Sequence, residues 1–294
     1  MLKVKNNLLI KVKTPAKLNL FLEVGDKLNN TGFHEIYSLI EPISLFDTLE
    51  FYPSKDVKVE FISSSKIPSQ DNTVIKSIYF LKNKYKISKG IRIRVIKEIP
   101  VGSGLGGGSS DAGCTLITLN KVWNLNLNNE QIKDIATSIG SDVPFFIFNT
   151  RCIVEGIGDR ITPIFKKPIF WYLLIIPPFS VSTKKVYQYY DEFGIKGNLT
   201  SAKQNIKILL TAMKKGDVKK MEEFMFNRLK DVSEKIWKEI KEVRIFIEKK
   251  SRKKFFLTGS GGAFFSVFKE REEGERICSF FQYKNWKSIV MRSF

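Results

Sequence analysis

The chain has 294 residues, enough for two domains, and its 43% hydrophobic and 13% aromatic content is that of a globular protein. It contains no apolar run near the roughly 18 residues of a membrane span. Its first ten residues set charges inside their apolar stretch and carry no cleavage site, so no secretory signal is expected. Its three cysteines have no CxxC spacing, so neither a disulfide framework nor a zinc site is expected. The expectation is reduced thiols, a cytoplasmic location and no resident metal site, while the formal charge of +19 needs a cause.

Taken in order, 10–12 and 18–24 read as strands around T-P-A-K, with Lys17 and Asn19 two apart on one strand face. G-D-K-L-N-N-T-G-F-H is a turn-rich loop ending at Phe33 and His34, the chain's only histidine. A strand or short helix over 35–43 leads to strands at 48–52 and 55–62. A loop over 68–73 then precedes a helix over 74–85. Alternation of apolar and basic residues over 91–99 predicts a half-buried strand.

Next comes P-V-G-S-G-L-G-G-G-S-S-D-A, Pro100–Ala112, with five glycines in seven residues (Gly102, Gly104, Gly106, Gly107, Gly108). Leu116, Leu119, Val122 and Trp123 are spaced for one helix face. The run therefore reads as strand, glycine loop and helix start, capped by Ser109, Ser110 or Asp111. Glycine permits positive φ and leaves no Cβ to fend off a ligand, and a helix start offers free N–H groups to a phosphate. A Walker loop would need Lys after the glycines, and none follows. A dinucleotide fingerprint is matched by Gly102, Gly104 and Gly107, but no second parallel strand with its acidic residue follows. Protein-kinase HRD and DFG motifs are missing from the sequence.

A helix near 130–139 precedes G-S-D-V-P-F-F, in which Asp142 would cap a short turn. A strand with a turn spans 151–161, and 162–168 reads as a linker. Further on come a strand at 170–176 and helices at 183–190, 204–214, 218–226 and 232–249. A strand at 255–257 enters a second glycine loop, T-G-S-G-G-A, and F-F-S-V-F follows. A helix over 270–281 and a last strand at 288–292 close the chain. Much of the charge is Lys scattered over 203–254, the pattern of solvated helix faces; a positive field also draws in polyanionic small substrates. With one histidine, acid/base chemistry falls to carboxylates, lysines or tyrosines.

Three motifs stand in order: P-A-K-L-N-L-F-L, the Pro100–Ala112 loop, and L-T-G-S-G-G-A-F-F. Together they resemble the GHMP kinase superfamily of small-molecule kinases. G-F-H at 32–34 and G-S-D-V-P-F-F at 140–146 resemble the branch that phosphorylates the 2-hydroxyl of a cytidine-diphosphate-linked methylerythritol in non-mevalonate isoprenoid synthesis. The resemblance implies an α+β fold of two domains. The first, residues 1–162, would be ribosomal-protein-like with a left-handed βαβ crossover; the second, 163–294, would be ferredoxin-like.

It also implies ATP and Mg²⁺ as cofactors, with Asp142 as the base and Lys17 as the catalytic cation. The triphosphate would lie on Pro100, Gly102, Gly104, Leu105, Gly106, Gly107, Gly108, Ser109 and Ser110, with Asn72, Lys97 and Asp111 toward the nucleoside. Asn19 would bind the alcohol, His34 would read the cytosine edge, and Phe33 and Tyr187 would stack on the base. Phe33 stands where the family commonly has Tyr, and Asp111 where Asn is frequent. The implied partner is a small molecule, with neither nucleic acid nor membrane, and the chain a monomer or weak homodimer. Two other readings remain open: a related kinase acting on a different alcohol, and a basic RNA-binding module.

Overall fold

The computed structural model describes residues 8–28, 32–63, 72–165, 168–282 and 286–294. The chain divides into two compact units. Unit 1 comprises Met1–Ala16, Leu45–Val101 and Gly106–Asn149; unit 2 comprises Lys17–Ser44, Gly102–Leu105 and Thr150–Phe294.

Two long strands open the fold, β1 (Ile10–Lys27) and β2 (His34–Ser54). Both run unbroken where the sequence predicts interruptions. Pro15 does not break β1 because in unit 1 the order is β3-β4-β2-β1, which puts Pro15 on an edge strand, where a missing N–H costs no ladder bond. β3 (Val57–Ile62), α1 (Thr73–Lys84) and β4 (Gly90–Ile96) form a βαβ unit, since β3 and β4 pair in parallel. β4 also pairs antiparallel with β2 through Thr48–Ser54. The alternation of β4 sends Ile91, Ile93 and Val95 into the core, while Arg92 and Arg94 meet Glu60 and Glu50. Asn72 caps α1 by accepting from the Val74 and Ile75 amides.

α2 (Gly107–Val122), α3 (Asn129–Ile139) and α4 (Phe145–Phe148) complete this unit. The predicted capping by Ser109, Ser110 or Asp111 does not occur. The helix starts earlier, inside the glycines, with Gly106 as a left-handed N-cap (φ 74°), so both serines lie within its first turn. Leu116, Leu119 and Trp123 bury with Val74, Ile78 and Leu81 of α1 against the β4 face.

In unit 2, β5 (Cys152–Gly156) and β6 (Arg160–Pro163) form a hairpin, and β5 pairs with Ile36–Ile40 of β2. The elements that follow are β7 (Trp171–Ile176), α5 (Thr183–Glu192), α6 (Leu199–Lys215), α7 (Val218–Phe224), β8 (Phe226–Asn227), α8 (Leu229–Ile236) and α9 (Lys238–Ser251). β9 (Phe256–Leu257), β10 (Phe264–Phe268), α10 (Arg271–Cys278) and β11 (Lys287–Arg292) end the chain. β7, β9, β10 and β11 make an antiparallel sheet in the order β11-β7-β10-β9. With helices between β7 and β9 and between β10 and β11, this is the ferredoxin-like arrangement.

Two helix expectations change here. The helix over 232–249 is two helices, α8 and α9, meeting at Trp237, whose backbone is extended (φ −119°, ψ 99°). The end of the 218–226 helix becomes the two-residue β8, which pairs in parallel with Phe21 and Leu22 of β1. Beneath the sheet, Arg151 donates to Glu41 at 2.5 and 2.9 Å, and the Tyr172 hydroxyl donates to the same carboxylate at 2.5 Å. All three side chains are buried. Cys114, Cys152 and Cys278 are buried and form no disulfide, and burial pushes the Cys114 thiol up to about 12.

Candidate active site

In unit 1 the glycine loop delivers a helix start suited to anions. α2 has no side-chain cap and no acidic residue in its first turn, so its leading N–H groups and positive dipole end keep no internal counter-group. Within that turn the Ser110 hydroxyl is buried and has no hydrogen-bond partner. Thr73 Oγ1, next to the Asn72 cap, donates to the Gly108 carbonyl at 2.8 Å and so ties the start of α1 to the loop.

The loop's other side rests on charges far apart in sequence. Lys97 Nζ is ion-paired with both Asp47 and Asp111, the latter at 2.7 Å, and all three side chains are almost fully buried. Asp47 Oδ1 accepts from the backbone of Glu98 and Ile99 at 2.6 and 2.8 Å, which fixes the chain entering the loop. Asp111 Oδ1 accepts from the Thr14 hydroxyl at 2.7 Å. Burial, together with the nearby Asp47 charge, outweighs Lys97 and raises the Asp111 carboxyl to about 6. The Lys97 ammonium loses by burial, but the two carboxylates more than offset that and raise it. Lys97 and Asp111 are therefore each other's partners, and the Asn72 carbonyl oxygen serves the α1 cap.

Asp142 stands half-buried in a turn closed by the Val143 amide on the Gly140 carbonyl at 3.1 Å. That turn lies directly on α2. A Cβ at Gly113 would meet Phe146 Cβ at 2.9 Å and the Val143 carbonyl at 3.3 Å, so only glycine lets the two backbones approach this closely. Asp142 is thus held by the same helix whose first turn offers its amides to an anion.

Unit 2 holds the other group. Lys17 and Asn19 are 3% and 5% exposed, and Lys17 Nζ donates to Asn19 Oδ1 at 2.5 Å, which puts both on one face of β1. Asn19 Nδ2 donates to Ser38 Oγ at 3.0 Å and its backbone N–H to Thr258 Oγ1 at 3.1 Å. The Lys17 amide donates to the Leu105 carbonyl, and the Ala263 amide to the Ser103 carbonyl at 3.0 Å. Gly102–Leu105, Lys17 and the second glycine loop are consequently one packed group. Asn227 braces that second loop, donating to the carbonyls of Leu257 and Gly259 at 2.7 and 2.8 Å. Asn227, Ser38 and Asp47 escape sequence reading, whereas Thr14 and Thr258 stand inside the quoted stretches T-P-A-K and T-G-S-G-G-A without a role being read for either.

Unit 2 also carries the proposed base-reading residues. His34 is buried, with the Tyr187 ring 5.2 Å away and tilted by 35°, whereas Phe33 is 52% exposed.

Comparison with known proteins adds to this geometry. Residues 72–150 match the model of the GHMP kinases N terminal domain, and 209–287 that of the GHMP kinases C terminal domain. A 4-diphosphocytidyl-2-C-methyl-D-erythritol kinase of Thermodesulfovibrio yellowstonii is 38% identical over 92% of this chain and 93% of its own length. One from a Thermoanaerobacter species is 35% identical, over 95% and 93%. A crystal structure of 4-(cytidine 5'-diphospho)-2C-methyl-D-erythritol kinase superposes with a TM-score of 0.76 at 26% identity, covering 96% of this chain and 99% of that one. A homoserine kinase from Cytophaga hutchinsonii shares the fold, with a TM-score of 0.72 at 17% identity and coverage of 100% and 96%. The glycine-loop architecture, the two matched domains and the extent of these similarities place the chain in the GHMP kinase family.

Proposed function

We propose that this chain transfers the γ-phosphate of ATP to the 2-hydroxyl of 4-diphosphocytidyl-2-C-methyl-D-erythritol, the alcohol named in its relatives. The observation that carries the phosphate side of this reading is the uncapped, glycine-led start of α2 with the unpartnered Ser110 hydroxyl.

Phosphoryl transfer has a loose transition state, so catalysis is mainly positioning and charge stabilisation. Asp142 accepts the proton of the attacking hydroxyl. The Lys17 ammonium, oriented by Asn19, offsets charge on the transferring group. Pro100, Gly102, Gly104 and Leu105, with the α2 amides from Gly107 to Ser109, hold the triphosphate, and Asn72 borders the nucleoside. Asp111 and Lys97 keep the loop in shape from behind. Mg²⁺ fits at the Ser109–Ser110 turn, where the Ser110 hydroxyl is available as a ligand. Among the described residues no cluster of three His, Cys, Asp or Glu gathers, which suits an ion carried mostly by phosphates and water. When bound, that ion supplies charge neutralisation on the phosphates. Phe33, His34 and Tyr187 take the cytosine.

The partner of the positive field is this small polyanion rather than a nucleic acid, and the working form is a cytoplasmic monomer or weak homodimer. The test is ATP consumption with the cytidine-diphospho-alcohol beside homoserine, mevalonate and galactose. Turnover on the first at least ~100-fold above the others is expected; equal or higher turnover on another alcohol overturns the substrate. Phe33→Ala should raise KM for the cytidine substrate with little change in kcat.

A further inference from the structure

His34 is buried at the start of β2, and its partners come from α5, more than 150 residues later in the chain. Its Nε2 lies 2.5 Å from Asp191 Oδ1. The second Asp191 oxygen accepts from Lys27 Nζ at 2.8 Å. Tyr187 and Asp191 are four residues apart on α5, so one helix face presents both the ring and the carboxylate to the imidazole. Tyr190 closes a further side edge-on, 5.4 Å from the ring centre at 89°.

The carboxylate decides which imidazole nitrogen carries the proton. Although burial works the other way, hydrogen bonds from Lys27 and His34 hold the Asp191 carboxyl below its ordinary range, so it is ionised near neutral pH. An ionised carboxylate only accepts hydrogen bonds, and Nε2 must therefore donate. In the neutral ring this leaves Nδ1 as an acceptor. Cytosine carries an amino donor at N4 where uracil carries a carbonyl acceptor. An acceptor facing that position pairs with the first and repels the second.

Resting on the reading that His34 meets the base, we infer that Asp191 is a positioning residue that makes the site selective for cytosine, by locking Nε2 as the donor and presenting Nδ1 as the acceptor. Lys27 steadies Asp191 from the solvent side and adds little of its own.

Because His34 is the only histidine, the ring can be read directly by ¹⁵N NMR of the intact protein. Nε2 is expected to carry the proton shared with Asp191 and Nδ1 to stand as the acceptor, and Asp191→Ala should yield a mixture of tautomers. Steady-state kinetics on cytidine- and uridine-diphospho-methylerythritol supply the second measurement. Asp191→Ala should cut the cytidine preference in kcat/KM at least ~10-fold through KM, with kcat within ~3-fold. Asp191→Asn, whose amide can accept or donate, should fall between, and Lys27→Met should keep the wild-type preference within ~3-fold. An Nδ1–H or doubly protonated ring in the wild type, or an unchanged preference in Asp191→Ala, overturns the inference. His34→Ala separates the two layers. If that variant leaves the cytidine KM unmoved, the reading of His34 itself fails; if it raises KM while Asp191→Ala keeps the preference, only the role of Asp191 fails.

Discussion

The main-chain N–H of Lys17 donates to the carbonyl of Leu105 at 2.9 Å, which fastens the strand bearing the proposed catalytic cation to the first glycine loop. The second glycine loop closes on the same lysine: a Cβ at Gly259 would stand 3.3 Å from Lys17 Nζ and 3.3 Å from the Gly104 carbonyl. Gly259 also sits at φ +56°, where a side chain costs about 1–2 kcal/mol. Gly259→Ala is therefore expected to shift the ammonium slightly and lower kcat by about 10-fold, since misplacements of a reacting group are costly. Melting should fall by only a few degrees. A kcat within twofold of wild type would show that the contact does not position Lys17.

Asp142→Ala tests the base. The turn holding Asp142 is built from backbone bonds and the Gly113 approach, neither of which needs the carboxylate. The variant should fold, bind ATP within about threefold of wild type, and lose roughly 10²–10⁴ in kcat. Near-normal turnover would remove Asp142 from the proton-transfer role.

What the sequence shows of this protein is whatever is local. The strand, glycine loop and helix around Pro100–Ala112 are legible because φ freedom and helix periodicity are written in adjacent residues, as are the alternation of β4 and the Lys17/Asn19 face of β1. The order of the four-stranded sheet rests on family resemblance, because no periodicity encodes which strands become neighbours. β8 is invisible because two residues carry no period, and the break at Trp237 has no glycine or proline to announce it. The supporting charges are hidden for another reason. Lys97, Asp111 and His34 are expected only as ligand contacts, and Asp47 and Asp191 look like ordinary surface residues, because the pairings run across 50 and 14 residues for Lys97 and across 157 for His34 and Asp191.

The Arg151–Glu41–Tyr172 cluster yields a stability prediction. Removing one partner of a buried ion pair leaves an uncompensated charge, at a cost of about 3–5 kcal/mol. Arg151→Met should therefore lower the unfolding free energy by that order, measured by denaturant titration. Arg151→Met combined with Glu41→Gln should recover much of the loss, because the neutral amide still accepts from Tyr172 and leaves no orphaned charge. Equal destabilisation in the single and double variants would show that packing, not charge, sets the cost.

Asp111 gives the pH dependence. In the folded protein burial lifts its carboxyl from the ordinary 3.8 to about 6, with the neighbouring Asp47 charge adding to the rise and Lys97 opposing it. The folded state therefore binds this proton more tightly than the unfolded chain does. Stability from this group is fully present below about pH 4 and is lost as pH rises toward 6 and above. The loss is on the order of 1–3 kcal/mol. Asp111→Asn removes the titration while keeping the contacts: the amide oxygen can face Lys97, and the Thr14 hydroxyl can turn from donor to acceptor for the amide nitrogen. Lys97 keeps Asp47 as its counter-charge. The stability of the variant relative to wild type should thus rise as pH goes from about 4 to 7 and then level off, followed by thermal or urea unfolding across that range. A difference that stays flat, or that falls with pH, would mean that Asp111 is fully ionised in its pocket and that Lys97 prevails over burial.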